Sequence, residues 1–491
     1  MMKVSKRTNI LMLGMLLGLG SIRQGGAQML PLSMRIDPIV SAAEAKYRGR
    51  IGMSIQRLSD DSVIYRTRFT ELFTPASVVK VLSTGAALTV KGPTYRFPTE
   101  VYISGEVKEG TLLGNIIIRG YGDPSIGSSY VPGEDERFVR NLVQTLKSKH
   151  IQKISGGVYF DASLPTGLGQ VSGWLAEDKK QHYGAGLFGL NYRDNVMNLS
   201  LILSGEAGTY KLSSSGERLG LKWALRENKS NGISLVTEQS NPLITIVGNS
   251  KHRQTQAIRM PNPAPAQAFA FYVLEGLQKN GIVLQNNLSA VSYEGYEPQG
   301  ELLHTHYSKR LDTLARITNY RSQNFYAEAI GRLVNPNIDK GQAITNYWQQ
   351  TLKIGNQDLL LYDGSGLDRR DRVSPRAFSL ALKRLFGGHI PLDGVLLETL
   401  PEVGREGTVR HLMPSRRDVK VYLKSGTMRG VSTYVGYVYD GRDWYSIVYL
   451  TNGMPGAWAS RAVLHSIVQE AWRITDDMIP LQAEPFAGRA L

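Results

Sequence analysis

Phe73-Thr74-Pro75-Ala76-Ser77-Val78-Val79-Lys80 opens a run in which Val78, Val81, Leu82 and Leu88 recur at helical spacing. Pro75 suits a helix start, so the pattern predicts a helix from about Ser77 to Thr89. On such a helix Ser77 and Lys80, three apart, share one face a turn apart. A serine hydroxyl is a weak nucleophile without a base beside it. A lysine serves as that base once it is neutral, which burial or a neighbouring cation favours. A serine at a helix start also turns its own N–H outward, where it can form half of an oxyanion hole. Taken alone, the pair reads more readily as a capping serine beside a solvated lysine. Average composition yields roughly one S-x-x-K in a chain this long by chance.

Two further motifs follow in order. Ser322-Gln323-Asn324 comes just after the helix-like Leu311 to Thr318, and Lys424-Ser425-Gly426, followed by Thr427, ends an apolar strand. Alone, the first is a helix cap and the second an edge-strand lysine of the kind that blocks stray pairing. The small pair Ser425-Gly426 lets a substrate backbone lie along a strand edge. Each of S-x-x-K, S-x-N and K-[ST]-G occurs once in the chain. All three in this order, each in a fitting local context, point to serine acyl transfer.

The two ends of the chain mirror one another. Near the start, a helix (Ile36 to Tyr47) precedes strands Gly52–Leu58 and Val63–Arg68, joined by Ser59-Asp60-Asp61. Near the end, strands Lys420–Leu423, Thr433–Tyr439 and Trp444–Leu450 precede a helix from Ala457 to Arg473. Together they predict one antiparallel five-stranded sheet covered by helices, in an α+β multidomain chain. The middle reads as β-rich: two strands across Thr99–Arg119 around Lys108-Glu109-Gly110, strands at Val158–Asp161, Val196–Leu203 and Ile244–Gly248, and a helix over Glu134–Lys149. The dense prolines of Pro261-Asn262-Pro263-Ala264-Pro265 mark a boundary, followed by a helix from Ala266 to Asn280. The expected division is a signal peptide at 1–27, a domain formed by 28–94 and 263–491, and inserted β-rich domains at 95–262.

The length of 491 residues suits two or three domains, and the apolar fraction of 42% and charged fraction of 20% are those of a globular protein. Lys3, Lys6 and Arg7, then the apolar Ile10–Ile22, then Gly25-Gly26-Ala27, form a cleavable export signal with its cut near Ala27-Gln28. The apolar stretch is shorter than the roughly 20 residues that span a bilayer, which argues against an uncleaved anchor. The chain has no cysteine, which excludes disulfides and a lipid-modified N-terminal cysteine. The formal charge is +15, with no single basic run long enough to argue for nucleic acid. Such a balance suits attraction to an anionic wall polymer or membrane surface, and equally a basic surface that is merely solvated. The eight histidines are scattered; His304 and His306 read as surface residues, so no metal is expected. Gly364-Ser365-Gly366 lacks the lysine of a nucleotide loop, and no cofactor is expected.

With the three motifs, Phe73-Thr74-Pro75-Ala76-Ser77, Gly120-Tyr121-Gly122-Asp123-Pro124, Asn319-Tyr320-Arg321-Ser322, Asp363-Gly364-Ser365-Gly366-Leu367 and Gly404-Arg405-Glu406-Gly407-Thr408 resemble segments of the class C low-molecular-mass penicillin-binding proteins. These are D-alanyl-D-alanine carboxypeptidases and endopeptidases, and the likeness covers nearly all of the chain after the signal. It implies a serine β-lactamase/DD-peptidase-like domain and periplasmic or cell-wall work on peptidoglycan peptides. Ser77 would attack the carbonyl of the penultimate D-alanine, Lys80 would take its proton, and Ser322 would pass a proton toward the leaving amine with Lys424 close by. Asn324 would bond the substrate amide, Lys424 and Thr427 would hold the terminal carboxylate, and the N–H groups of Ser77 and Thr427 would form the oxyanion hole. β-Lactams would acylate Ser77 and leave slowly. Ser425 stands where the family usually has threonine and keeps the hydroxyl. Gly173-Trp174-Leu175-Ala176-Glu177-Asp178 is similar to a segment whose aspartate reaches the substrate side chain, which would give Asp178 that role; a surface acid beside Lys179 and Lys180 is the plain alternative. Nearly half the chain separates Ser77 from Ser322, whereas serine β-lactamases hold the two motifs much closer. A β-lactamase and a non-catalytic wall-binding protein on the same fold are the competing readings.

Overall fold

The computed structural model describes residues 31–203, 210–213, 221–227, 234–249, 254–296, 300–387 and 395–472; the expected signal peptide lies outside them. Both chain ends build one sheet. Its strands are numbered β1 (Arg50–Arg57), β2 (Val63–Thr67), β3 (Lys420–Met428), β4 (Val431–Tyr439) and β5 (Trp444–Asn452). They pair antiparallel in the order β2-β1-β5-β4-β3. The helices packed around this sheet are α1 (Leu32–Tyr47), α2 (Val79–Lys91), α3 (Leu311–Arg321), α4 (Asn324–Arg332), α5 (Lys340–Leu352), α6 (Pro375–Phe386) and α7 (Ala457–Ala471).

β4 explains the layering. Every residue from Val431 to Val438 is buried, so both faces of the strand are covered and the run reads as continuously apolar rather than alternating. Tyr434 and Val438 face a core that holds Ile36 and Val40 of α1 and Leu464 and Ile467 of α7. Val435 and Tyr437 face a second core with Val79 and Leu82 of α2, Trp348 of α5 and Phe378 of α6. The Tyr437 hydroxyl donates to the Leu382 carbonyl at 2.8 Å, which satisfies the one polar atom that this tyrosine buries.

The chain between α2 and α3 forms further sheets. Ser289–Ser292, Val158–Asp161, Ile116–Gly120, Pro98–Ile103 and Glu301–Tyr307 lie side by side in that order. The helices Glu134–Ser148 and Pro265–Lys279 pack on this sheet through Phe138, Leu142, Phe269 and Val273. Two three-stranded sheets lie beyond it: one of Tyr210–Ser213, Val196–Leu203 and Gln254–Pro261, the other of Lys222–Glu227, Leu243–Gly248 and Ser234–Thr237.

Three expectations need correction. The boundary at residue 263 falls too early, because the helix Pro265–Lys279 and the strands Ser289–Ser292 and Glu301–Tyr307 pair and pack with the inserted sheet. The prolines there end one strand at Pro261 and start one helix at Pro265, so they punctuate within a unit rather than between units. The span Thr99–Arg119 holds four strands, not two. Pro98–Ile103 pairs with Ile116–Gly120, while the small hairpin Glu106–Lys108 and Thr111–Leu113 joins a different sheet; strands of three residues are too short for alternation to reveal. His306, read as a surface residue, is buried against Phe138 with ring centroids 5.2 Å apart, because its strand turns that face toward the helix Glu134–Ser148. Burial pushes its imidazole down to about 3, which keeps it neutral.

Trp348 is fully buried and its indole N–H donates to the Leu82 carbonyl at 3.0 Å, tying α5 to the helix that carries Lys80. Trp348→Ala is expected to cost about 3–5 kcal/mol of stability, read as a clear fall in the thermal midpoint; an unchanged midpoint would show that this contact does not hold the helices together.

Candidate active site

The three motifs converge where α2, the α3–α4 junction and β3 meet. The helix starts later than its sequence suggests. Ala76–Val78 forms a single 3₁₀ turn and α2 begins at Val79. Ala76 holds φ at 51°, a left-handed conformation uncommon for a residue with a Cβ, so Ser77 sits on a tight elbow before the helix.

Lys80 is fully buried. Its Nζ donates to Ser77 Oγ at 2.9 Å, Asn324 Oδ1 at 2.7 Å and the Ser365 carbonyl at 2.7 Å. All three partners are neutral oxygens. Burial lowers the ammonium to about 7, against the pull of Asp363, Glu328 and Asp371, which favour the charged form. A buried amine poised near neutrality is what a serine base requires.

Ser322 caps α3 in the left-handed conformation at φ 56° and Asn324 opens α4. The turn between them brings Asn324 to Lys80 on α2 and Ser322 to Lys424 on β3. Asn319 on α3 fixes this junction: its Nδ2 donates to Thr84 Oγ1 at 3.2 Å and Thr399 Oγ1 at 3.0 Å, and Thr84 in turn donates to the Lys80 carbonyl at 2.6 Å. The Lys424 Nζ donates to Ser322 Oγ at 3.0 Å and to the Ser425 carbonyl at 2.5 Å. Burial drives the Lys424 ammonium well below its usual range, and the positive charge of Lys80 pushes the same way.

β3 is an edge strand, paired on one side by β4. On its other side the backbone of Pro401–Val403 bonds Leu423 and Val421, which covers only the first half of the edge. Gly426 faces Ser77: a Cβ there would sit 2.9 Å from the Ser77 nitrogen and 2.4 Å from Thr433 Oγ1. Only glycine lets the strand approach the serine this closely. Ser425 and Thr427 point the other way, as residues two apart in a strand do, and Ser425 Oγ meets Thr408 Oγ1 at 2.7 Å. Thr427 is exposed beside the open part of the edge.

The structure thus brings Ser77, Lys80, Ser322, Asn324 and Lys424 together and lays Ser425, Gly426 and Thr427 along the edge beside them. Asp178 makes none of these contacts. It lies half-buried on the short helix Ala176–Lys179 and accepts the Tyr183 hydroxyl at 2.9 Å; Asn324 Nδ2 reaches the carbonyl of that tyrosine at 3.0 Å. The neighbouring Lys179 donates to the Ser172 carbonyl instead of pairing with Asp178.

Sequence reasoning gave no role in the site to the loop Asp363–Asp368. The Asp363 carboxylate, fully buried, accepts the backbone N–H groups of Ser365, Gly366, Leu367 and Asp368 at 2.6–3.1 Å, and Ser365 offers its carbonyl to Lys80. Gly366, at φ +78°, lies against Ala76, where a Cβ would come 2.0 Å from the Ala76 carbonyl oxygen. Beneath the loop, Glu328 and Lys340 form a buried pair at 3.2 Å, and Glu328 accepts the Gly364 N–H. An aspartate followed by Gly-Ser-Gly is a turn signal in its own right, because the carboxylate can gather N–H groups two to five residues on. That signal was present in the sequence.

A five-stranded antiparallel sheet with helices on both faces and a half-buried serine bonded to a buried lysine at one helix start defines a serine acyl-transfer architecture. The sequence profile of the D-Ala-D-Ala carboxypeptidase 3 (S13) family matches residues 32–472, and the chain belongs to that family of serine-type peptidases. The D-alanyl-D-alanine carboxypeptidase DacB of Haemophilus influenzae is 24% identical over 429 residues, covering 82% of this chain and 85% of the relative. The crystal structure of penicillin-binding protein 4 from Haemophilus influenzae superposes with a TM-score of 0.74 at 20% identity, covering 88% of this chain and 99% of that one. A second structure of that protein, complexed with a novel β-lactam, gives a TM-score of 0.70 at 20% identity over 87% of this chain and 99% of that one. The family resemblance read from the motifs therefore stands.

Gly426→Ala is expected to push β3 away from Ser77. Its kcat on a D-alanyl-D-alanine peptide should fall at least about 100-fold with the fold retained. Wild-type turnover by this variant would mean that the strand does not need its close approach to the serine.

Proposed function

We propose that Ser77 Oγ attacks the carbonyl between the two terminal D-alanines of a peptidoglycan stem peptide while Lys80 Nζ takes its proton. The C–N bond then breaks, the leaving amine gains a proton relayed by Ser322 beside Lys424, and water hydrolyses the ester on Ser77. The observation that carries this reading is the 2.9 Å contact between Ser77 Oγ and a fully buried Lys80 whose other partners are neutral oxygens. An amine in that setting can hold the neutral form at physiological pH without losing its hold on the serine. The open half of the β3 edge suits a substrate backbone added as a further strand, with its carbonyl oxygen between the N–H groups of Ser77 and Thr427. Lys424 and Thr427 suit the terminal carboxylate and Asn324 the substrate amide. Asp178, bonded to Tyr183 at the margin of the site, suits a free amine on the peptide side chain.

β-Lactams copy the reacting amide, so they should acylate Ser77 and leave slowly; the β-lactam complex of the Haemophilus influenzae protein supports this. No described helix is long and apolar enough to cross a membrane, which agrees with export through a cleaved leader to the periplasm or wall space, where the basic charge suits contact with anionic polymer.

Two measurements test the proposal. Ser77→Ala should lose all labelling by a fluorescent penicillin, and labelling that persists on another serine would refute the assignment. For pH, the neutral form of Lys80 is the base, and it is lost as pH falls through about 7. Acylation of the wild type should therefore drop about tenfold per pH unit below that point and level off above it; a rate that is flat from pH 5 to 8 would remove Lys80 as the base. Steady nitrocefin hydrolysis in place of a single slow burst would favour a β-lactamase.

A further inference from the structure

Lys80 has two hydrogen-bond acceptors besides the serine, and both are held from the same inserted segment. Trp174, 4% exposed, donates its indole N–H to Asp363 Oδ2 at 2.8 Å. The same carboxylate gathers the four successive N–H groups of residues 365–368 and the Ser365 hydroxyl, and so fixes the direction of the Ser365 carbonyl that Lys80 bonds. Nine residues on, the Tyr183 carbonyl takes Asn324 Nδ2 at 3.0 Å, which leaves Asn324 Oδ1 facing Lys80 Nζ. Gln170 ties the segment into one piece, its Nε2 donating to the carbonyls of Lys179 at 2.7 Å and Gly184 at 2.6 Å.

We propose that the inserted segment 170–184 positions the proton-accepting amine of Lys80 from both sides, and that Trp174 is a positioning residue acting through Asp363 and the Ser365 carbonyl. Residues that hold a reacting group through a second layer of hydrogen bonds fix its geometry to fractions of an ångström, and a misplacement of about 1 Å costs about 100-fold in rate. A buried indole needs only some acceptor. Here its acceptor is the carboxylate that orders the loop against Lys80, so the contact ties the inserted segment to the reacting amine. The charged groups acting on Lys80 are Asp363, Glu328 and Asp371, which favour its ammonium; Lys424 lies beyond Ser322 and feels the Lys80 charge. Glu328 is itself paired with Lys340.

The inference rests on the role proposed for Lys80, and the test separates the two. Acylation of the full chain by a fluorescent penicillin is followed to saturation across pH for the wild type, Trp174→Phe, Trp174→His and Asp363→Asn. Trp174→Phe keeps the ring and loses the N–H. Its maximal acylation rate should fall about 10- to 100-fold, with half-saturation changed less than about threefold and the final labelled fraction unchanged. Trp174→His, which restores a ring N–H, should recover part of that rate. In Asp363→Asn, the loss of a carboxylate that favours the ammonium should move the acid limb of the rate to lower pH. A purely structural role would lower the labelled fraction and leave the rate of the remainder and its pH limb unmoved, which overturns the proposal. Asp363→Asn conserves volume and decides the matter by its pH limb if Trp174→Phe does not fold. Absence of acylation in the wild type would instead sink the reading of Ser77 and Lys80.

Discussion

A lysine amine sealed from water among neutral oxygens is the constraint on which the rest of the molecule turns. An ammonium with a carboxylate in direct contact would stay charged and be useless as a base; one in water would stay charged as well. Lys80 avoids both, since its nearest partners are a hydroxyl, an amide oxygen and a backbone carbonyl, and the carboxylates that influence it act without touching it. Burying an unpaired polar group carries a penalty unless every donor finds a partner. The three bonds to Nζ meet that demand: one comes from the neighbouring turn and two from parts of the chain 244 and 285 residues away. The fold has to be assembled in full before the amine has its environment.

The second amine follows the same logic. Lys424 is buried beside Ser322 and shares the neighbourhood of Lys80, so two cationic groups would repel if both stayed charged. Burial, with the Lys80 charge as a further push, disfavours the charged form of Lys424. Around them, Gly426 and Gly366 let the edge strand and the Asp363 loop press against the Ser77 elbow, where any side chain would collide with backbone.

Much of this was legible in the sequence, and the reasons differ by element. The terminal sheet was readable because β4 and β5 are long runs rich in Val, Ile, Thr and Tyr, joined by an Asp and Gly turn. The five motif side chains were readable because their spacing is a chemical requirement and local. The return from the insertion was not, since Pro261 and Pro265 serve equally as punctuation inside a unit and between units, and only strand pairing distinguishes the two. His306 was misjudged because one edge strand carries both an exposed and a buried face and its alternation is shallow. The Asp363 loop was seen as a family-like segment but given no work: its Asp-Gly-Ser-Gly pattern signals a turn, yet which side chain its Ser365 carbonyl meets depends on packing with α2. The bond from Trp174 joins two positions 189 residues apart that no local pattern links.

The sheet that takes its strands from both ends of the chain also sets an order of events. β1 lies between β2 and β5, so its second edge stays bare until nearly all of the polypeptide has been delivered. The inserted sheets draw on a continuous stretch and can assemble earlier, because short loops close before long ones. An emerging chain would therefore carry a finished insertion and an unformed reaction centre. The contact between Lys424 and Ser322 needs β3, so it forms only when that sheet closes.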